Sequence, residues 1–293
     1  MLDEVVRTAR ILPTAGYMRR IHDGRPDGVA EQFFTLVRQQ VVARDESESG
    51  FSLETACLPL IEGLGDAALD LVKALENLKR PMERLAKALA AGIPVVAVDT
   101  GITGADITSY VATDNVPAAK TQGDWTADQV GDTDTVIYVT GDQSQSTGRE
   151  RKEGFLAGLK AKKPNVKVVE VPTTWDQTMA QNGVEAALRA NPKAKVIACA
   201  WDGGALGAKA ALLAAGKKAG DVKIAGFDGS PGGLDMMKEG WQQANSAQML
   251  AKIGKVGVET AIKAAKKEAV EKRIDTGSFL VLPANVDQFA KDS

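Results

Sequence analysis

Residues 195–231 constrain the fold of this chain more than any other stretch. Two short apolar runs, at residues 196–200 and 222–227, flank an Ala- and Leu-rich segment that ends at Gly216. Apolar runs of this length predict buried strands, the segment between them predicts a helix, and glycine is a common helix stop. Strand, helix and strand in this order predict a β-α-β unit with parallel strands.

Polar and aromatic residues follow both strands of this unit. Trp201 and Asp202 come directly after the first strand, and Asp228 follows the second. Because ligands of parallel sheets bind beyond the carboxyl ends of the strands, we expect these residues at a ligand site. Carboxylates accept hydrogen bonds from hydroxyls, and an indole covers an apolar C–H face. The unit therefore predicts a site for a small polyhydroxylated molecule.

The alternation of strands and helices continues on both sides of the unit. Further strands are predicted at residues 93–98, 108–112, 135–140, 167–171, 242–248 and 277–282. Helices are predicted at residues 83–91, 116–129, 149–161, 178–190, 232–239, 250–267 and 285–291. Such alternation is typical of a doubly wound α/β fold.

The loops after the predicted strands carry a recurring set of polar and aromatic residues, namely Asp99, Asn115, Gln143, Arg149, Trp175, Trp201, Asp202, Asp228 and Gln248. Each could be an ordinary turn or helix-cap residue, but their recurrence at one sheet edge indicates a shared site. Arg149 lies at the predicted start of a helix, where a cation is unfavourable, so we expect it to have a local purpose. Pairing with Glu153 one turn later is the alternative.

Composition excludes several kinds of chemistry. With 293 residues, 25% of them charged and 44% apolar, the chain is long enough for two domains, and its net charge of −2 disfavours a dedicated nucleic-acid binder. His22, Cys57 and Cys199 are too few for a zinc site or a Ser-His-Asp or Cys-His catalyst. Gly63-Leu64-Gly65 lacks the third glycine of a dinucleotide fingerprint. We therefore expect no metal and no cofactor.

The first part of the chain differs from the rest in its basic residues. Residues 1–72 contain seven arginines and no lysine, whereas residues 73–293 contain six arginines and twenty-three lysines. We interpret residues 1–80 as an atypical N-terminal segment with helical patterns, either fused or read in another frame. The alternative is an irregular helical region that prefers arginine. The first sixteen residues lack the apolar stretch of a secretory signal.

From about Met82 to the C-terminus, the chain resembles the type I periplasmic sugar-binding proteins, the ribose/galactose-type receptors of ABC importers. The resemblance lies in AGIPVVAVDTGI, YVATDN, STGRERKEGF, WDGGALGAKAALLAAG, VKIAGFDGSP and LVLPANVDQF. It implies two α/β lobes, each with a doubly wound parallel sheet. Three segments of the chain cross between the lobes, which close over a sugar. We assign residues 81–114 and 249–277 to the N-terminal lobe, and residues 115–248 and 278–293 to the C-terminal lobe.

The resemblance also implies which residues bind the ligand. Asp99 and Thr100 would lie on the N-terminal lobe's side of the cleft. The other side or the hinge would carry Arg149, Trp175, Trp201, Asp228 and Gln248. Ribose receptors have phenylalanine where this chain has Trp175 and asparagine where it has Trp201. Two indoles provide more stacking surface and fewer hydrogen bonds, which favours a cyclitol, a polyol or a sugar other than ribose.

The leading hypothesis is a periplasmic receptor that binds without catalysis. Its expected partners are a small neutral sugar, polyol or cyclitol and the membrane permease of an ABC importer, with no nucleic acid, and it is expected to be a monomer. Two alternatives stay open. The same fold serves as the effector domain of LacI-type transcriptional regulators, and Asp202 with Asp228 could act as paired carboxylates of an enzyme.

Overall fold

The computed structural model describes residues 83–292. The chain divides into two compact units, Met1–Ile93 and Pro94–Ser293. In the first unit, residues 83–90 are helical, and Gly92 follows with a φ of +68°. Glycine adopts a positive φ at little cost, so Gly92 ends this helix as the sequence predicts.

The predictions for residues 1–80, among them those on His22, Cys57 and Gly63-Leu64-Gly65, lie outside the described residues. Within residues 83–292, no helix has the length and apolar character needed to cross a bilayer.

The second unit contains a small parallel sheet. Its strands are β1 (Val96–Val98), β2 (Ser109–Ala112) and β8 (Arg273–Asp275), in the order β1-β2-β8. Helix α6 (Leu250–Ala265) packs against β1 and β2. Gly257 permits this contact, because an added Cβ there would lie 2.9 Å from a methyl group of Val98.

The same unit contains a six-stranded sheet in the order β4-β3-β5-β6-β7-β9. The strands are β3 (Thr135–Val139), β4 (Lys167–Val171), β5 (Val196–Cys199), β6 (Lys223–Asp228), β7 (Ala244–Gln248) and β9 (Ser278–Val281). All pairings are parallel except that of β7 with β9. The sheet is thus parallel as predicted apart from its edge strand β9, which follows the small-sheet strand β8 after two residues and runs antiparallel to β7.

Helices accompany the strands of the large sheet. They are α1 (Asn115–Asp128), α2 (Ser146–Lys162), α3 (Gln177–Ala190), α4 (Asp202–Ala214), α5 (Pro231–Lys238) and α7 (Val286–Asp292). Helix α1 packs along α2, and α3 packs along α4. The core lies between helices and sheet, where Tyr138 of β3 stacks on Phe155 of α2 with ring centroids 4.2 Å apart.

Three elements differ from those that the sequence predicts. Strand β8 is not among the predicted strands, because its three residues are charged at both ends and form a strand only by pairing with β2. The predicted strand at 242–248 begins at Ala244, and β7 is buried throughout although it reads ANSAQ. Helix α2 begins at Ser146, three residues before the predicted start at Arg149.

The division into lobes by residue ranges stays a prediction.

Candidate functional site

A buried arginine connects the ends of several elements of the large sheet. Nη1 of Arg151 donates to Oδ1 of Asp228 over 2.8 Å and to the carbonyl oxygen of Ala200 over 2.7 Å. Its Nε donates to Oδ1 of Asn115, the first residue of α1, over 2.9 Å. We call Arg151, Asn115, Asp228 and Gln248 the arginine cluster. Arg151 is only 4% exposed, so its charge depends on these partners.

Asp228 is the acidic member of the cluster, at the last position of β6. Its Oδ1 accepts from Arg151 and from Nε2 of Gln248 over 2.9 Å, whereas Oδ2 accepts no hydrogen bond from any residue in the range 83–292. The side chain is 22% exposed. Burial raises the pKa of this carboxyl above its ordinary value, and the Arg151 guanidinium opposes that rise. Asp228 therefore keeps one carboxylate oxygen free to accept a hydrogen bond from a ligand.

Aromatic rings surround the guanidinium. The centre of the Arg151 guanidinium lies 4.0 Å from the ring centroid of Phe227 and 5.6 Å from that of Trp175. Trp175 and Trp201 meet edge to face, with ring centroids 5.4 Å apart. Aromatic rings thus flank the guanidinium of the arginine cluster.

The indole of Trp201 folds back over the first turn of α4. A Cβ added at Gly203 would lie 2.6 Å from its Nε1, and one added at Gly204 would lie 2.7 Å from its Cζ3. The two glycines therefore make room for the ring, which is 8% exposed. Both glycines belong to the first turn of α4.

Backbone strain is concentrated at predicted site residues. In the described part of the chain, four residues other than glycine have a positive φ, namely Asp99, Trp175, Asp228 and Lys267. Three of these four are predicted from the sequence to contact a ligand. Such conformations cost free energy and persist where the surrounding structure holds them, often at functional sites.

Asp99 and Thr100 follow β1 of the small sheet. The carbonyl oxygen of Asp99 accepts from the Tyr110 hydroxyl over 2.8 Å, and its side chain is exposed. Oγ1 of Thr100 lies 3.4 Å from Oγ1 of Thr147, in the first turn of α2. Thr147 and Arg151 are four residues apart and buried on the same face of α2. The loop after β1 therefore contacts α2 one turn before the arginine cluster.

The structure places Arg149 outside the arginine cluster. Its Nη1 donates to the carbonyl oxygens of Gln143 and Ser144, over 3.1 and 2.7 Å, and its side chain is exposed. It therefore supports the loop before α2, and Arg151 is the arginine in the cluster. The reason is the register of α2, which begins at Ser146 and turns Arg151 inward together with Phe155. The spacing of four between these two residues in RERKEGF is the sequence signal that indicates this inward face.

Asp202 and Gln143 also have local partners. Oδ2 of Asp202 accepts from the backbone N–H and the hydroxyl of Ser230, each over 2.8 Å, and Oδ1 accepts from Asn245 over 2.6 Å. Nε2 of Gln143 donates to the carbonyl oxygens of Gly141 and Gly148, each over 3.0 Å. Both side chains therefore connect segments of the fold.

Asp202 is also unusual in its ionisation. It is 2% exposed, and burial together with the nearby Asp228 carboxylate raises its pKa to about 7, against the hydrogen bonds from Ser230 and Asn245. Within residues 83–292, no group of His, Cys, Asp or Glu side chains is arranged to hold a metal ion. Cys199 is fully buried, and burial raises the pKa of its thiol well above the ordinary value.

This fold and site define a class of protein. Residues 81–269 match the periplasmic binding protein domain, and the chain belongs to this family. The resemblance and the two-lobed α/β fold expected from the sequence are thereby confirmed.

Individual relatives are solute-binding proteins. The chain is 38% identical over 192 residues to the ribose import binding protein RbsB of Salmonella typhimurium, covering 66% of this chain and 64% of that protein. It is 30% identical over 202 residues to the D-allose-binding periplasmic protein of Escherichia coli, with coverage of 66% and 64%. The chain thus spans about 64% of the length of these relatives.

Solved structures agree with these relatives. A Caulobacter myo-inositol binding protein bound to myo-inositol has a TM-score of 0.65 and 26% identity, with coverage of 70% of each chain. An ABC transporter solute binding protein from Agrobacterium vitis, bound with α-D-tagatopyranose, has a TM-score of 0.65 and 30% identity, covering 71% of this chain and 73% of that one.

Proposed function

We propose that this protein binds a neutral sugar, polyol or cyclitol between its two lobes and does not change it chemically. The observation that carries the proposal is the Arg151–Asp228 ion pair, in which Oδ2 of Asp228 accepts no hydrogen bond from residues 83–292 and the guanidinium lies 5.6 Å from the Trp175 ring, which contacts Trp201. A solute hydroxyl can donate to that oxygen, while the indoles cover the apolar face of a sugar ring. Asp99, Thr100, Trp175, Trp201 and Gln248 are proposed to complete the site, with Arg151 in the role assigned to Arg149 from the sequence.

Charge balance supports a neutral solute. The Arg151 guanidinium and the Asp228 carboxylate neutralise each other over 2.8 Å. A charged ligand would leave one charge in the cleft without a counterion, and an unpaired charge in a site of low water content is costly. The relatives named for ribose and allose, and the structures that hold myo-inositol and tagatose, support the same class of solute.

The partners and the location follow from the proposed activity. The chain would present its solute to the membrane permease of an ABC importer, in the periplasm and as a monomer. Binding without catalysis fits Asp202, since three hydrogen bonds from Ser230 and Asn245 already engage both oxygens that an acid–base pair with Asp228 would need. No observation favours a LacI-type regulator.

Isothermal titration calorimetry on the full chain tests the proposal. The panel contains ribose, allose, tagatose and myo-inositol, with glucuronate and glucosamine as charged comparisons. We expect binding of at least one neutral solute and much weaker binding of both charged ones. In Asp228→Asn, which keeps the shape but leaves the Arg151 charge without its counterion, binding of the neutral solute should be lost. Wild-type protein that binds none of the four neutral solutes would refute the proposed function.

A further inference from the structure

The orientation of Trp175 depends on a side chain from another loop. Nε1 of Trp175 donates to Oε1 of Gln145 over 2.8 Å. The indole N–H can only donate, so the Gln145 amide must present its oxygen to the ring. Because this N–H is already used, Trp175 offers a solute its ring surface and no hydrogen-bond donor.

Gln145 lies at a position whose side chain usually caps the N-terminus of a helix. It is the N-cap residue of α2, yet its side chain makes no hydrogen bond to the N–H groups of the first turn. Ser, Thr, Asp and Asn are preferred at this position because their short side chains reach those groups. The Gln145 side chain instead extends to the indole, which indicates that its role concerns Trp175 more than the helix.

The rest of the Trp175 ring is held by close packing. A Cβ added at Gly141 would lie 2.0 Å from Cη2 and 2.1 Å from Cζ3 of the ring. The Trp201 ring meets Trp175 edge to face, and the centre of the Arg151 guanidinium lies 5.6 Å from the centroid of the Trp175 ring. Among the contacts within residues 83–292, the hydrogen bond to Gln145 is therefore the directional one that fixes the rotation of an otherwise packed ring.

The backbone beneath the ring is held as well. The φ of Trp175 is +62°, and its N–H donates to Oγ1 of Thr173 over 3.3 Å. Thr173 in turn donates to the carbonyl oxygen of Thr140 over 2.6 Å. The backbone is thus tied to the end of β3, so that a change at Gln145 acts on the indole and not on the path of the loop.

We propose that Gln145 is a positioning residue that sets solute selectivity by fixing the Trp175 indole. The inference rests on the proposed function and names a determinant of the same site. A ring held in one orientation favours solutes whose apolar face matches it, whereas a ring free to rotate discriminates less among epimers.

A double-mutant cycle tests this on the full chain. Gln145→Met keeps the length of the side chain but removes the acceptor, and Gln145→Glu keeps an acceptor. Trp175→Phe keeps a ring but removes the N–H. We expect Gln145→Met to weaken binding of the preferred solute about fivefold to tenfold, with Gln145→Glu close to wild type. In the Trp175→Phe background, Gln145→Met should have no further effect.

The outcomes separate the inference from the function on which it rests. Affinities are measured by calorimetry with ribose, allose, tagatose and myo-inositol, and thermal unfolding checks that each variant is folded. If Gln145→Met weakens binding equally in both backgrounds, Gln145 acts without the indole and the inference is wrong while the function stands. If wild-type protein binds none of the solutes, the proposed function fails and the inference falls with it.

A measurement without solute gives a second readout. The indole N–H resonances of protein labelled with ¹⁵N-tryptophan can be assigned through Trp175→Phe, in which one resonance disappears. We expect Gln145→Met to shift the Trp175 resonance and to speed its exchange with water, while the resonances of Trp125 and Trp241 stay unchanged. An unchanged Trp175 resonance would overturn the inference.

Discussion

Arg151 is the residue on which the candidate site most depends. Its guanidinium joins α1, the end of β5 and the end of β6 through hydrogen bonds in three directions. A lysine ammonium carries the same charge but cannot reproduce this planar set of donors. We expect Arg151→Lys to lower solute affinity at least tenfold and the free energy of unfolding by about 3 kcal/mol.

Arg149 provides the matched control for that substitution. It lies two positions earlier and is exposed, and in the described part of the chain it bonds only to carbonyl oxygens of its own loop. Arg149→Lys should leave solute affinity unchanged and alter stability by less than about 0.5 kcal/mol. Calorimetry measures the solute affinity of the two variants, and urea denaturation measures their free energy of unfolding. Equal losses in the two variants would show that the cluster is not the binding site.

Asp202 predicts a pH dependence of stability. Its pKa is about 7 in the folded protein and near the ordinary 3.8 in the unfolded chain. Below about pH 4 both states are protonated and the stabilisation is complete. Between about pH 4 and pH 7 only the folded state keeps the proton, so stability falls as pH rises through this range, by at most about 1.4 kcal/mol per pH unit.

The variant Asp202→Asn should lose this slope, because an amide does not ionise. The free energy of unfolding in urea, measured at pH 5, 6, 7 and 8, gives the slope for both proteins. His22, the one histidine of the chain, is present in both, so the difference between them reports Asp202 together with its coupling to Asp228. Parallel curves would contradict the elevated pKa.

At the scale of elements, α1 and α2 pack with their backbones in contact. A Cβ at Gly154 would lie 2.1 Å from the carbonyl oxygen of Val116, and one at Gly158 would lie 2.4 Å from that of Lys120. An added methyl group would therefore push α2, which carries Arg151, away from α1. We expect Gly154→Ala to lower the free energy of unfolding by about 1–3 kcal/mol, measured by urea denaturation.

A glycine on another helix gives the opposite expectation. An added Cβ at Gly254 of α6 would have no atom within 4 Å from residues 83–292, apart from its chain neighbours and the nearby backbone of its own helix. Alanine there removes backbone entropy from the unfolded chain at no steric cost, so Gly254→Ala should stabilise the protein by about 0.5–1 kcal/mol. If both substitutions had the same sign, the close approach of α1 and α2 would not be the cause of the loss.

At the scale of the whole molecule, two segments that connect the sheets are hydrogen-bonded to each other. Oδ1 of Asp275 accepts from the backbone N–H of Asp114 over 3.0 Å and from that of Gly277 over 2.9 Å. The hydroxyl of Thr113 donates to the carbonyl oxygen of Gly277 over 3.3 Å. Asp275 thus fixes one segment against the other between the small and the large sheet.

Loss of the Asp275 carboxylate should weaken solute binding although Asp275 lies outside the candidate site. In Asp275→Ala the sheets can adopt more relative orientations, so a smaller fraction of molecules is competent to bind and solute affinity should fall several-fold. Calorimetry measures the solute affinity. Asp287→Ala is the control, because that side chain is exposed and its ion pair with Lys238 is long, at 3.8 Å. An affinity unchanged in Asp275→Ala would exclude this role of the segments.

The sequence by itself determined the order of the elements and part of the candidate site. The apolar runs of β3, β5 and β6 are local signals, because a strand buried on both faces must be apolar along its length. Strand ends in a parallel sheet share one edge, so the order of the strands alone places Asp228 and Gln248 together. The glycine that ends a helix, as at Gly92, is equally local.

Only the tertiary structure decided how the buried polar residues are paired. Strand β7 is buried although it is polar, because its Asn245 and Gln248 find partners in Asp202 and Asp228. Arg151 enters the cluster through Asn115 and Asp228, which lie 36 and 77 residues away in the chain. The hydrophobic periodicity of a sequence indicates which side chains are buried. It does not indicate how a buried charge is paired, because the partners come from segments distant in the chain.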